Sequence, residues 1–429
     1  MKFSYILIPA MVLCTTSACR SSKKASTANP VVSAPSVTVS PLPIDTPRPL
    51  VVIPKKAVYQ ASVPRSNDIL HTKLEVNFDW TLCRMNGKAT LQIKPYFAPV
   101  NKLYLDARGM DIKKLEVFEV ATVNETKKQG GKTGIEKTPV WNHVTNSGYT
   151  YENDSLKINL GRTFQSSEYY YVVIDYVAKP NELKKAGGSQ AISDDKGLYF
   201  INPTGENTLK MPQIWTQGET QANSVWFPTI DSPNEKMTQE ILMTVEDRFT
   251  TLSNGSLIAS NKLPDGKRVD HWKLSEPHSP YLAMMAVGDF QKISDTPWNG
   301  KEVSFYVERE YAPHAMGIFG ETREMIDFYS KKLGVPYAWP KYSQIVVRDY
   351  VSGAMENTTS TLHQESAYQN FRQLTDGNSW ETVIAHELFH QWFGDYVTTE
   401  SWSNITVNET MADYSQTLWM EYKYGKDAG

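Results

Sequence analysis

His386-Glu387-Leu388-Phe389-His390, followed after eighteen intervening residues by Glu409, is the stretch from which the rest of this chain is read. Two histidines at i and i+4 of a helix leave the same face one turn apart, so both rings can share one small cation. The ligand set favours zinc. Glu387 follows the first histidine and points to the side of that face, where it can hold a water instead of binding the metal. Asn378 and Glu381 form a helix-start signature, Ile384, Leu388 and Trp392 supply an apolar stripe, and Gly394 supplies a stop. A helix is therefore predicted around the histidine pair. The bland alternative is a structural helix carrying two histidines near a surface carboxylate.

Glu409 has two readings. Thr406-Val407-Asn408-Glu409 has the form of a capping box, in which the glutamate merely closes a helix start. As third ligand, it would be carried to the metal by a second helix with Met411, Ala412, Tyr414, Leu418, Trp419 and Tyr422, packed on the first. The remaining histidines, His71, His143, His271, His278, His314 and His363, lack paired ligand spacing and read as surface or satisfied core residues.

Working outward, 429 residues with 40% hydrophobic side chains exceed one ordinary domain and can bury a large core. A formal charge of -3 and a pI near 6.3 give no electrostatic reason to expect nucleic acid. Cys14, Cys19 and Cys83 are too few for a disulfide framework or a thiolate zinc site, and Cys83 reads as a small buried apolar residue.

Lys2 and the apolar run Phe3 to Leu13 have the form of a bacterial export signal over residues 1–18, too short for a permanent membrane span. Thr16-Ser17-Ala18-Cys19 resembles a lipobox, which predicts acylation of Cys19 and an envelope lipoprotein anchored to a membrane, with plain secretion as the alternative. From there to about Arg65 the Ser, Thr and Pro content predicts an unfolded tether over 19–65.

Lys73 to Trp80 alternates strictly, with Leu74, Val76, Phe78 and Trp80 on one face, and predicts a half-buried strand. Asn86-Gly87 then predicts a tight turn before Ala89, Leu91 and Ile93. Similar runs at Tyr169 to Tyr176, around Ile241 to Val245, and at Tyr281 to Val287 extend a large antiparallel β domain over 66–290. The pattern then changes. Ile318, Met325, Ile326, Tyr329 and Leu333 follow helical spacing and end at Gly334, and Ile345-Val346-Val347 reads as a strand, so a mixed domain is predicted over 291–429.

Gly353-Ala354-Met355-Glu356-Asn357, joined to His386-Glu387-x-x-His390 and Glu409, resembles the aminopeptidase N family of zinc metallopeptidases. Gln391 to Thr398 and Trp402 to Glu409 extend the likeness, which runs from roughly Asp68 to the last residue. The resemblance implies an α+β multidomain chain, with a large antiparallel, saddle- or sandwich-like β domain followed by a thermolysin-like mixed α/β zinc catalytic domain. It implies one zinc ion on His386, His390 and Glu409, with Glu387 as general base toward water. Gly353, Ala354 and Met355 would lie as an edge strand beside a peptide substrate with a free N-terminus, and Glu356 would pair with its α-ammonium group. Glu219 in Gln217-Gly218-Glu219 resembles a second amine contact; its alternative is a solvated loop carboxylate, and that of Glu356 a strand-edge charge.

Gln416 stands where relatives carry an acidic group, a departure expected to loosen histidine orientation. The resemblance also implies a downstream tyrosine for the oxyanion and a helical C-terminal domain, neither found before Gly429, so the catalytic domain is expected to be incomplete and the piece possessed of little activity alone. Tyr422 and Tyr424 lie too near Glu409 for that role. The rival readings are a thermolysin-like endopeptidase and a non-catalytic peptide-binding or scaffold lipoprotein.

Overall fold

Eight strands form the largest sheet of the computed structural model, in the order Ser256–Lys262, Lys267–His278, Met237–Glu246, Asn67–Asp79, Arg84–Pro95, Tyr170–Ala178, Asp111–Gln129 and Lys132–His143. The structure describes residues 61–129, 132–183, 188 and 191–429, with side chains left aside over 122–139. The export signal, Cys19 and the tether up to residue 60 lie outside the described residues. At the tether's end Arg65 already belongs to the folded body, since its guanidinium pairs with Asp68 at 2.5 Å and Glu235 at 2.7 Å.

Period-2 alternation explains the large sheet. Leu74 and Val76 on one strand, and Ala89, Leu91 and Ile93 on the next, are buried, while their odd-and-even neighbours face outward. One pairing departs from the expected antiparallel pattern: Asn67–Asp79 runs parallel to Met237–Glu246. Two smaller sheets, of four and three strands, complete this strand-rich region.

Asn86-Gly87 is not the turn that its dipeptide suggests. The chain reverses at Trp80–Cys83, where Cys83 adopts φ 51 and Asp79 accepts from the Leu82 amide at 2.9 Å. Asn86 and Gly87 sit inside the second strand, paired with Asn77 and Val76. Gly87 is opposite Tyr176 on the other neighbouring strand, and a Cβ there would collide with the tyrosine ring. Its small size serves packing, not turning. Cys83 is correspondingly half-buried in the turn and not a core residue. Tyr281 also leaves the expected strand: Pro280–Leu282 is a 3-10 turn and only Met285–Gly288 pairs.

From Gln291 a five-stranded sheet begins, ordered Gln291–Ser294, Glu302–Val307, Lys341–Val347, Ser360–Gln364 and Ala354–Met355. Its three inner strands are parallel and its two edges antiparallel. Lys341–Val347 is buried along its whole length, as a covered parallel strand must be. Ile318 belongs to a separate short helix, Ala315–Phe319; the predicted helix is Thr322–Leu333, stopped by Gly334 at φ 68.

The helix Glu381–Phe389 and the helix Thr406–Tyr424 pack on each other beside this sheet. Ile384 and Leu388 are buried in a core cluster that also holds Trp419 of the second helix, each contributing about 2 kcal/mol by area removed from water. Glu381 does not act in a cap; its carboxylate crosses to the second helix, accepting from Trp419 Nε1 at 2.6 Å and the Tyr424 hydroxyl at 2.8 Å. Ala412 and Trp419 bury as expected, whereas Tyr414 is exposed. Among the described residues no helix is long and apolar enough to cross a membrane.

Candidate active site

The first helix ends at Phe389, earlier than the glycine stop implies, and its chain continues through tight turns to Val397. His390 therefore stands at the C-terminal cap, still one turn beyond His386 on the same face. The two Nε2 atoms are 3.0 Å apart. Glu409 comes from the first turn of the second helix, where no side-chain cap forms, so its carboxylate is free to face the histidines. Its Oε2 lies 3.5 Å from His386 Nε2 and 3.7 Å from His390 Nε2.

These separations test the metal reading. A tetrahedral zinc with bonds of about 2.0–2.2 Å to nitrogen and oxygen keeps its ligands about 3.3–3.5 Å apart, and 3.0, 3.5 and 3.7 Å bracket that span. The His390 tautomer agrees. His390 Nδ1 is 2.9 Å from the Phe393 carbonyl, which can only accept, so Nδ1 carries the proton and Nε2 presents its lone pair. His386 Nδ1 is 3.1 Å from Asp413 Oδ1 and 3.0 Å from Gln416 Nε2, and donation to the carboxylate gives the same tautomer. Asp413 was not read from the sequence, although it lies four residues after Glu409 on the same helical face. It supplies an acid where Gln416 suggested a loose histidine, and Gln416 Nε2 itself lies 3.0 Å from His386 Nδ1 and 3.2 Å from Asp413 Oδ1, so both side chains hold the ring.

Glu387 is buried beside this triad, and its Oε2 has no hydrogen-bond partner. Burial, then the carboxylates of Glu356, Glu409, Glu219 and Asp395, holds it well above the ordinary carboxylate range. Glu356, Glu387 and His390 also offer ligand atoms within 4.8 Å of one another. Ala354 and Met355 do form an edge strand, paired antiparallel with Ser360–Gln364. Gly353 is exposed, and a Cβ there would meet nothing within 4 Å, so the backbone lies open on that side. Met355 is buried and accepts from Gln217 Nε2 at 3.4 Å.

The two predicted amine contacts come together. Glu356 is buried, with the Tyr281 hydroxyl 3.4 Å from its Oε1 and Gln391 Nε2 donating to its carbonyl at 3.0 Å. Burial and Glu409 push it up to about 7; burial, Glu356 and Glu409 push Glu219 up to about 8. Glu219, half-buried, is thus linked electrostatically to the acidic cluster. A cationic guest between the two would restore both to their charged forms. Tyr281 was not legible as a site residue because only the tertiary fold brings it, 75 residues away in sequence, to Glu356. Tyr424 is committed to Glu381 and Tyr422 stacks on Phe328, so neither serves the metal residues.

Such a triad, with an unpartnered glutamate over it and a strand edge alongside, defines a metallopeptidase. Residues 66–282 match the Peptidase M1 N-terminal domain and residues 318–428 the Peptidase family M1 domain, and the chain belongs to that zinc metallopeptidase family. It is 30% identical over 251 residues to endoplasmic reticulum aminopeptidase 1 of Mus musculus, covering 58% of this chain and 26% of the relative. It is 31% identical over 235 residues to glutamyl aminopeptidase of Homo sapiens, covering 53% and 24%. Against probable aminopeptidase 1 of Sulfurisphaera tokodaii the identity is 32% over 242 residues, covering 55% and 29%. The chain thus spans about a quarter of the length of these relatives.

Proposed function

We propose that this chain carries the metal centre and amine anchor of a zinc aminopeptidase that removes N-terminal residues from peptides. The carrying observation is that buried Glu356 converges with Glu387 and His390 and acts electrostatically on Glu219, because carboxylates there select a free α-ammonium group. His386, His390 and Glu409 would hold the zinc. The ion supplies Lewis acidity toward the scissile carbonyl and toward water. Glu387 takes the proton of the attacking water and passes it to the departing amine. The open edge at Gly353 and Ala354 receives the substrate backbone as an added strand. The aminopeptidase names of the relatives support the same activity.

The experiment is a paired assay of one peptide with a free and with an N-acetylated terminus. The free form should be cleaved at least about 100-fold faster, the scale of losing a paired buried charge; equal rates would favour an endopeptidase.

We further propose that the protein is exported and held to a membrane of the bacterial cell envelope through a lipid on Cys19, on the strength of the Lys2–Leu13 and Thr16–Cys19 pattern. Cys19→Ala should abolish labelling by a lipid precursor and release the protein from membranes. Labelling and fractionation unchanged in the variant would refute the anchor.

A further inference from the structure

Lys236 precedes the strand Met237–Glu246 in the strand-rich region, 150 positions or more before the metal helix's exit turn, yet its ammonium ends on that turn. It donates to the carbonyls of Asp395 and Tyr396, at 2.9 Å each. The turn is irregular backbone, and it controls a metal ligand. His390 Nδ1 bonds the Phe393 carbonyl at 2.9 Å, the Asp395 amide donates to the His390 carbonyl at 3.0 Å, and Gly394 and Val397 close the loop through Gly394 N to Val397 O at 2.8 Å. Gly394 adopts φ 142, and a Cβ there would stand 3.1 Å from His390 Nδ1, so the turn passes close to the imidazole.

Regular helix ends at Phe389; the Phe393 amide still donates to the Phe389 carbonyl at 3.2 Å, but no helical bond reaches the Phe393 carbonyl. It is fixed by the bonds within the turn and by whatever pins the turn from outside. Among the described residues the external donor to both the Asp395 and Tyr396 carbonyls is Lys236; the Thr398 hydroxyl, local to the turn, adds a second bond to Asp395 at 3.2 Å. A lysine with a long stem suits this use, because it carries a charge-assisted donor across the boundary between the two sheet systems.

We propose that Lys236 is a positioning residue for the metal centre: by clamping residues 395–396 it keeps the Phe393 carbonyl on His390 Nδ1 and the His390 Nε2 lone pair on the metal. The inference rests on the zinc reading above. Groups one step removed from a ligand ordinarily tune metal affinity 10–100-fold. Loss of the clamp should act through the lifetime of the bound ion.

The test loads the full chain with zinc and follows its release to a chelator. Lys236→Met should release zinc about 10-fold faster than the wild type and, after cobalt substitution, show an altered visible ligand-field spectrum, while Lys236→Arg stays near wild type. Lys210→Met is the control, since Lys210 also joins the two regions, through Asp349 at 2.5 Å, but touches nothing on the turn. It should leave release and spectrum unchanged. Wild-type release and spectrum in a folded Lys236→Met would overturn the proposal, as would equal acceleration in Lys210→Met. If Lys236→Met does not fold, Lys236→Gln carries the comparison, with several-fold faster release expected and the wild-type rate overturning it. A wild-type chain that takes up no zinc defeats the metal reading itself, a different outcome.

Discussion

Replacing Glu387 with glutamine is expected to lower turnover by about 10³- to 10⁴-fold while leaving one zinc in place, the upper part of the range for losing a general base. The amide has the shape of the acid but cannot accept a proton. Glu387 converges with Glu356 and His390 but lies outside the His386, His390 and Glu409 triad, so a metal held by the triad should stay in place. Stability offers an independent reading of the same variant. The carboxyl is buried with one oxygen unpartnered and is held well above its ordinary range, so an uncharged replacement removes a burden from the fold. The melting temperature of the metal-free protein should stay level or rise, since a bound divalent cation would itself pull the carboxyl back down. Coincident loss of zinc and activity would assign Glu387 to the ligand set and contradict its role as base.

Glu356→Ala should be the second most damaging change, lowering kcat/KM for free-amine peptides by about 100- to 1,000-fold, the scale of 2–4 kcal/mol for truncating one partner of a buried charge pair. Discrimination against the acetylated peptide should shrink in step, because the variant loses the contact that rewards a free amine. Glu219→Gln should do the same more weakly, since Glu219 is only half-buried and Glu356 remains. Kinetics on both peptides settle it: a Glu356→Ala enzyme that still prefers the free terminus by the wild-type factor would remove Glu356 from amine recognition.

The metal centre was legible because its chemistry is written in local spacing. His386 and His390 need only one helical turn between them, and Glu409 needs only a second helix packed on the first. The edge strand at Ala354 was likewise carried by a contiguous motif. What failed to show was whatever depends on a partner distant in sequence. Asn86-Gly87 looks like a turn until Tyr176 is seen to occupy the space over the glycine. The capping signature at Glu381 dissolves once Trp419 and Tyr424 claim its oxygens. Lys236 carried no local mark of its reach to residues 395 and 396. Asp413 is the intermediate case, since its position one turn after Glu409 could have identified it as the partner of His386.

The most direct measurement is zinc content per chain in the wild type and in His390→Ala, each purified folded and dialysed without chelator. The geometry predicts one equivalent in the first and less than about a tenth in the second, because two remaining ligands hold zinc poorly. Equal content in both, or a wild type that takes up none, would contradict the claim that His386, His390 and Glu409 form one metal site.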